Sequence, residues 1–567
     1  MTAISTFLLA ALVWYPATNW VDKVDPVADP YARKGGTIRF NGSRSPKSLN
    51  AYLDTNTYTK MMFDLMFENL IGVDSETLEF TPALARRWAV SESGDEFVFV
   101  IDERARWSDG VPVTADDVKW TFDAVMSPTN DTGSWKTLLG VFESPEVVDR
   151  LTVRFRKKGA SPKDWRDILH CGMFYILPRH VLEGKNFNAL DFETVPVSGA
   201  YRVARIAEQV ETEYARVKTW WRRDFPSMKS VCNFDRILLR YYADNENAFE
   251  ALKKRQIDVY PVYTARIMND ETYGEKFERN WILKRVVHNH QPVGFQGFVM
   301  NARRKPFDDV RVRKAMALLV DRETMNRTMM SGAYDLLDSY FPDLYDDAHP
   351  CPNERVRYDL EEAKRLLAEA GYADGFTFTF LSREAGEDKF LSLVSHALAS
   401  CHITMKITRK DFAGWMRDMD SYSYDMTWAS WNALVFRNLE TMWSSAEADR
   451  TGSSNLSGFK DAEVDRLIEA EKRMETMAER QEAYRQIDAL IAKAHPYALL
   501  WNTPTTRLLY WNKFGMPKAV LSRYSDEQAI LSYWWFDEDR AAELERARET
   551  QTCLPAVAEH VFFDEEQ

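Results

Sequence analysis

Residues 82–122 read PALARRWAVSESGDEFVFVIDERARWSDGVPVTADDVKWTF, and the order of elements in this stretch decides the fold. Pro82–Trp88 has the composition to open a short helix. Glu96–Ile101 (EFVFVI) is aromatic and β-branched, which predicts a strand. Ser108-Asp109-Gly110 is turn chemistry, because Asp folds back on its own backbone and Gly accepts positive φ. Thr114 then predicts a helix N-cap, with Asp117 three residues on in the capping-box position. Val118, Phe122 and Val125 share one face of the helix that follows. The stretch holds no nucleophile with its base, no phosphate cradle and no metal cluster, so it is scaffold.

Bulk properties bound the rest. The chain has 567 residues, 45% hydrophobic and 28% charged, enough for several domains around a large core. Its net charge is −13, and no Lys/Arg run is interleaved with aromatics, which argues against a nucleic-acid partner. Eighteen Trp residues are expected mainly in core packing, with a minority free to serve as ligand platforms. The five Cys residues (Cys171, Cys232, Cys351, Cys401, Cys553) contain no C-x-x-C, so zinc and thioredoxin chemistry are disfavoured. The odd count leaves at least one thiol free in any intramolecular scheme. Phe7–Tyr15 (FLLAALVWY) is too short to span a bilayer and suits the apolar region of an export signal. No Lys or Arg precedes it and no A-x-A site follows. Residues 1–30 are read as signal and leader. The first Cys is Cys171, so no lipid-anchored N-terminus is expected, and a soluble periplasmic protein is the simpler reading.

With these motifs in place, the chain resembles the family 5 solute-binding proteins, the peptide- and nickel-type receptors of bacterial ABC importers. That family carries P-x-L-A-x-x-W, a strand, then W-S-D-G-x-P-x-T-A-x-D-V. Here these are Pro82, Leu84, Ala85 and Trp88, then Trp107, Ser108, Asp109, Gly110, Pro112, Thr114, Ala115, Asp117 and Val118. Pro306–Ala315 (PFDDVRVRKA) resembles the family's P-F-D-D-x-R-V-R-x-A, and Val197–Tyr201 (VSGAY) its G-T/S-G-P-Y turn. Val197–Trp221, Asn233–Leu252, Tyr424-Asp425-Met426, Trp443-Ser444-Ser445 and Leu509–Phe514 are similar to one branch, the oligopeptide and microcin-C uptake (YejA-like) receptors.

The resemblance implies an α/β fold: two lobes of the periplasmic-binding-protein type (type II, cluster C-like) with an additional small α/β domain. The implied layout is the first lobe over 31–56, the small domain over 57–195, and the first lobe again over 196–287. The second lobe covers 288–497, the first lobe is completed by 498–540, and 541–567 form a charged tail. Within this layout Thr37–Asn41 predicts a strand and Tyr58–Leu70 an amphipathic helix. Asp309 is the expected N-cap of a helix running to Asp321. Asp359 caps Tyr358–Tyr372, with Glu362 in the capping-box position. The return to the first lobe is expected near Pro496–Trp501.

Catalytic signatures are lacking: there is no H-E-x-x-H, G-x-S-x-G, P-loop or Rossmann fingerprint. His288 and His290 share a face if extended, but no acid or Cys cluster supports a metal, and a strand-edge pair is the simpler reading. The expected ligand segment is Tyr424–Glu440 (YDMTWASWNALVFRNLE). In the family, an Asp in the loop after this strand pairs with the ligand's α-ammonium. Here Trp431-Asn432-Ala433-Leu434 has no acid, and Asn432 accepts a hydrogen bond without carrying charge. A peptide with a blocked N-terminus, or a non-peptide solute, then becomes more plausible, with Glu440 a substitute acid unless it begins a helix. Arg437 offers a fork for a carboxylate or phosphate, set against a solvated loop charge. Trp428 and Trp431 face opposite ways on an extended segment, one into the lobe and one toward ligand. Asn41, Ser43 and Ser45 complete the expected ligand set.

The function so implied is the receptor of an ABC importer: a monomer without cofactor or metal. It captures an oligopeptide or peptide-like solute between its lobes and delivers it to an inner-membrane permease pair with its ATPase. A periplasmic hydrolase, or a chaperone or chemosensory adaptor on the same fold, is the competing reading. A nucleophile–base pair or covalent turnover would favour the hydrolase, and a neighbouring permease and ATPase operon would favour import over the adaptor.

Overall fold

The structure, a computed structural model, describes residues 12–15, 23–54, 56–159, 163–263, 265–346 and 348–564. Most of the expected export signal lies outside the described residues; Leu12–Tyr15 is a strand laid antiparallel on Ala85–Ser91. The chain divides into two compact units. The first comprises Met1–Tyr263, Thr272–Asn289 and Thr506–Gln567, and the second Thr264–Glu271 and His290–Thr505.

Among the described residues the first unit holds two large sheets and two short two-stranded ones. In the five-stranded sheet, Ala85–Ser91 and Glu96–Ile101 pair antiparallel with Trp88 opposite Phe99, and Thr152–Arg156 flanks Glu96–Ile101. The short helix expected at Pro82–Trp88 is therefore not formed: Phe80–Pro82 and Ala85–Ser91 are strands. Ala and Arg are good helix formers, but Trp88 is buried by pairing with its neighbours, and tertiary packing overrides propensity. The helix Ala115–Met126 begins where Thr114 predicts, with the Asp117 carboxylate accepting from the Thr114 N–H at 2.8 Å. Val118, Phe122 and Val125 are its buried face.

The second sheet of this unit has eight strands. In spatial order they are His560–Phe562, Ile282–His288, Thr505–Trp511, Val259–Pro261, Thr37–Ser43, Arg236–Tyr241, Glu211–Arg216 and Tyr201–Ala207. Ile38 and Phe40 are fully buried at its centre, and Trp534 packs on Tyr510 with ring centroids 4.9 Å apart. The buried carboxylate of Asp258 binds Lys513 Nζ at 2.7 Å and the Arg39 backbone N–H at 2.9 Å, tying three chain segments together. The charged C-terminal region is a helix, Glu538–Thr550, followed by the strand His560–Phe562, which joins the sheet beside Ile282–His288.

The second unit is built on a five-stranded sheet, ordered Thr404–Arg409, Thr377–Ser382, Met426–Trp431, Phe295–Met300 and Tyr497–Leu499, beside the short pair Asp335–Leu336 and Trp501–Asn502. Side chains alternate across it. Phe298, Met300, Phe380 and Met426 pack into one core with helices Val310–Leu318, Leu360–Glu369 and Asp388–Ala399. Phe295, Val299, Leu381 and Ala429 pack into another with Ala462–Glu471 and Met477–Ala494. Asp309 caps the first of these helices as expected, but the helix stops at Leu318, because Asp321 caps a separate helix, Arg322–Met329, through the Thr324 N–H. Asp359 caps Leu360–Glu369 through the Glu362 N–H at 2.9 Å. The chain leaves this unit later than Pro496–Trp501 implies. Tyr497–Leu499 still pairs with Phe295–Met300, and the first unit resumes only with Thr506.

Candidate functional site

The strand Met426–Trp431 pairs with Thr377–Ser382 at its start, through Met426 and Thr427, and with Phe295–Met300 along its whole length, which places Trp431 opposite Phe295. Around that end is a cavity of about 700 Å³, lined among others by Gln296, Phe390, Trp415, Trp428, Ser430, Trp431 and Ser454. This size and mixture of indoles with a few hydroxyl and amide groups is what an organic ligand site requires. Trp428 and Trp431 point to opposite faces of the sheet. Trp428 packs edge-on against Phe298 and Phe390, with its indole N–H donating to Gln296 Oε1 at 3.1 Å. Trp431 donates to the Tyr497 hydroxyl at 3.1 Å. Both are half-buried and both reach the cavity, so each indole is oriented by a polar partner while part of its surface stays open. Gly294 makes this possible: a Cβ there would lie 1.8 Å from the Trp431 carbonyl oxygen.

The remaining expected residues of this segment fall into different roles. Asn432 is exposed just past the strand. Arg437 is neither a solvated loop charge nor an open fork. It is 7% exposed, donates to Asp343 Oδ2, and lies over the rings of Phe341 and Tyr484 at 5.2 and 5.8 Å. Glu440 begins the helix Glu440–Trp443 and pairs with Lys472 at 3.0 Å. In the first unit, Asn41 and Ser43 lie on the strand Thr37–Ser43, and Asn41 is buried. Ser45 follows, buried, with its hydroxyl lacking a hydrogen-bond partner among the described residues.

Two groupings were not legible beforehand. In the first unit the Tyr58 and Tyr263 hydroxyls meet at 3.1 Å, and Tyr263 donates to Glu527 Oε1. Burial, with the neighbouring Asp526 charge, pushes the Glu527 carboxyl up to about 7. Nothing in the run Ser525-Asp526-Glu527 distinguishes it from a surface turn. His288 pairs with His560, Nε2 to Nδ1 at 3.0 Å, with Phe562 stacked on it at 4.2 Å. Among the described residues no group of three or more His, Cys, Asp or Glu is placed to hold a metal ion. No helix among them is long and apolar enough to cross a membrane.

Comparison with known proteins agrees with this architecture. The chain is 26% identical to the peptidoglycan-binding protein YepA of Agrobacterium fabrum, over 90% of this chain and 92% of that protein. It is 26% identical to the uncharacterised protein YejA of Escherichia coli K12, over 93% of this chain and 92% of that one. In fold it is similar to the periplasmic binding protein DppA of Helicobacter pylori, solved with the peptide STSA. The TM-score is 0.68 at 20% identity, covering 89% of this chain and 99% of that one. Residues 79–453 match the middle region of the bacterial extracellular solute-binding proteins, family 5, and the chain belongs to that family.

Proposed function

We propose that this protein is the solute-capturing receptor of an ABC importer, taking up an oligopeptide or peptide-like solute. The observation that carries the reading is the cavity at the end of Met426–Trp431. Oriented indoles supply apolar contact there, Ser430 and Ser454 supply hydrogen bonds, and about 700 Å³ leaves room for several side chains and for bridging water. Membership of a family of solute-binding receptors supports it, as do relatives named for binding peptidoglycan and peptide. The ligand is released unaltered, and no cofactor is needed. Delivery is to an inner-membrane permease pair with its ATPase, from a monomer in the periplasm. Capture is thermodynamic: a solute shifts the protein toward the conformations it binds best, in proportion to its differential affinity for them.

The deciding experiment is mass spectrometry of solute carried through native purification, followed by calorimetric titration of that solute into stripped protein. Recovery of an intact peptide-like compound with a dissociation constant near micromolar, about −8 kcal/mol, supports the reading. Conversion of the compound by the purified protein sinks it in favour of a hydrolase.

A further inference from the structure

The second unit contains an anion to which the family resemblance gives no role. Glu387 ends the turn Ala385–Glu387 and immediately precedes the helix Asp388–Ala399. It is 5% exposed, yet it lines the same cavity as Trp415, Trp428 and Trp431. Its Oε2 is buried and has no hydrogen-bond partner among the described residues. Its Oε1 lies 3.8 Å from Arg383 Nε, beyond hydrogen-bond reach. That guanidinium is shared with Glu384, at 3.4 Å, and with the face of Trp415, at 5.7 Å. The other charges lining the cavity balance, Arg383 and Lys389 against Glu384 and Asp420, so Glu387 is the excess charge.

A carboxylate withdrawn from water with an empty acceptor is costly, and burial raises its proton affinity even against the pull of the Ser382 hydroxyl and the Arg383 charge. A donor arriving with the ligand removes that cost. Neighbouring indole faces favour a cationic donor over a neutral one. The loop Trp431–Leu434, where the family's acid is expected, supplies none.

We infer that Glu387 is the amine-recognition residue of this protein: its unpartnered oxygen accepts from a primary ammonium of the ligand held against the cavity's indoles. The inference rests on the peptide-receptor reading and adds to it a required chemical group, an α-amine or a side-chain amine. It also restores amine recognition to a site whose loop lacks an acid, by drawing the carboxylate from a different element.

The test is calorimetric titration of protein stripped of carried solute with three probes: tetra-alanine, N-acetyl-tetra-alanine, and an N-acetyl tetrapeptide of three alanines and one lysine. The expected result is at least tenfold tighter binding of one amine-bearing probe than of N-acetyl-tetra-alanine. Which probe gains shows whether the α-amine or the side-chain amine is read. Glu387→Gln should reduce that preference to within twofold, the loss falling on the amine-bearing probe. Equal wild-type affinities for blocked and amine-bearing probes overturn the inference and leave the peptide reading standing. A Glu387→Gln protein that weakens all three probes alike also overturns it. Binding of none of the three by wild type overturns the peptide reading and the inference with it. The wild-type comparison holds even if the variant fails to fold, which its far-ultraviolet circular dichroism would show.

Discussion

Replacing Arg437 by Ala separates a scaffold role from a ligand role for a residue that the sequence marks as a candidate anion fork. Arg437 and Asp343 are 7% and 15% exposed as side chains, and Asp343 Oδ1 already has no partner among the described residues. Removing the guanidinium leaves a carboxylate almost wholly unpaired in a low-dielectric setting. Breaking a buried pair from one side costs about 3–5 kcal/mol. The partial exposure of Asp343 places the loss near the lower end, and the stacking on Phe341 and Tyr484 adds to it, so about 3 kcal/mol is expected. For a unit of this size each kcal/mol moves the melting temperature by about 2–4 °C, so the fall should be about 6–12 °C. Thermal unfolding followed by circular dichroism reads this directly. A double-mutant cycle with Asp343→Asn should return a coupling energy above about 1 kcal/mol. A variant that melts within about 1 °C of the parent, yet binds an anionic solute far more weakly, would refute the reasoning and return Arg437 to the ligand.

Three further outcomes follow from buried groups and close approaches. Glu527 is held protonated by burial up to about pH 7 against an ordinary 4.5, so the folded state binds more protons than the unfolded between those values. Stability from this group is therefore full at pH 4.5 and is lost as the pH rises through 7. Glu527→Gln should gain up to about 3 kcal/mol relative to wild type above pH 7 and nothing near pH 4.5, and parallel melting curves across that range would exclude the effect. Gly294→Ala forces the Trp431 carbonyl away and should cost about 1–3 kcal/mol while weakening solute binding, measured by melting and titration together. Unchanged binding would separate the cavity from the ligand. Asp488 is fully buried and accepts from Ser339 Oγ, the Tyr340 N–H, the Tyr345 hydroxyl and Asn353 Nδ2 at 2.8–2.9 Å. Asp488→Ala orphans all of these donors and should cost at least about 3 kcal/mol in urea unfolding; a loss below about 1 kcal/mol would show that water replaces it.

The sequence was most readable where structure is local. Thr114 with Asp117, Asp309 and Asp359 cap helices because a short acceptor next to free N–H groups acts within its own turn, whatever surrounds it. The alternation of Trp428 and Trp431 follows from strand geometry alone. What failed was decided at a distance. Ala85–Ser91 is drawn into a sheet by strands on both sides, and Tyr497–Leu499 stays in the second unit because Phe295–Met300 needs an edge partner. Arg437 gives no sign in sequence of Asp343, which lies 94 residues earlier. Glu387 reads as one more charge in a polar turn, and only its burial against the cavity sets it apart.

The eight-stranded sheet has a consequence for synthesis from the ribosome. Its strand Thr505–Trp511 sits between Ile282–His288 and Val259–Pro261, two segments made far earlier. A nascent chain that has reached residue 500 therefore holds five contiguous strands of this sheet, ending in a raw edge at Val259–Pro261, while Ile282–His288 has neither of its neighbours, since His560–Phe562 is also still to be made. The intervening continuous segment, His290–Thr505, already has every strand of its own five-stranded sheet, the last being Tyr497–Leu499. Maturation should proceed from the inside of the polypeptide outward, and a stalled or C-terminally clipped product should retain the second unit's protease resistance while the first is digested.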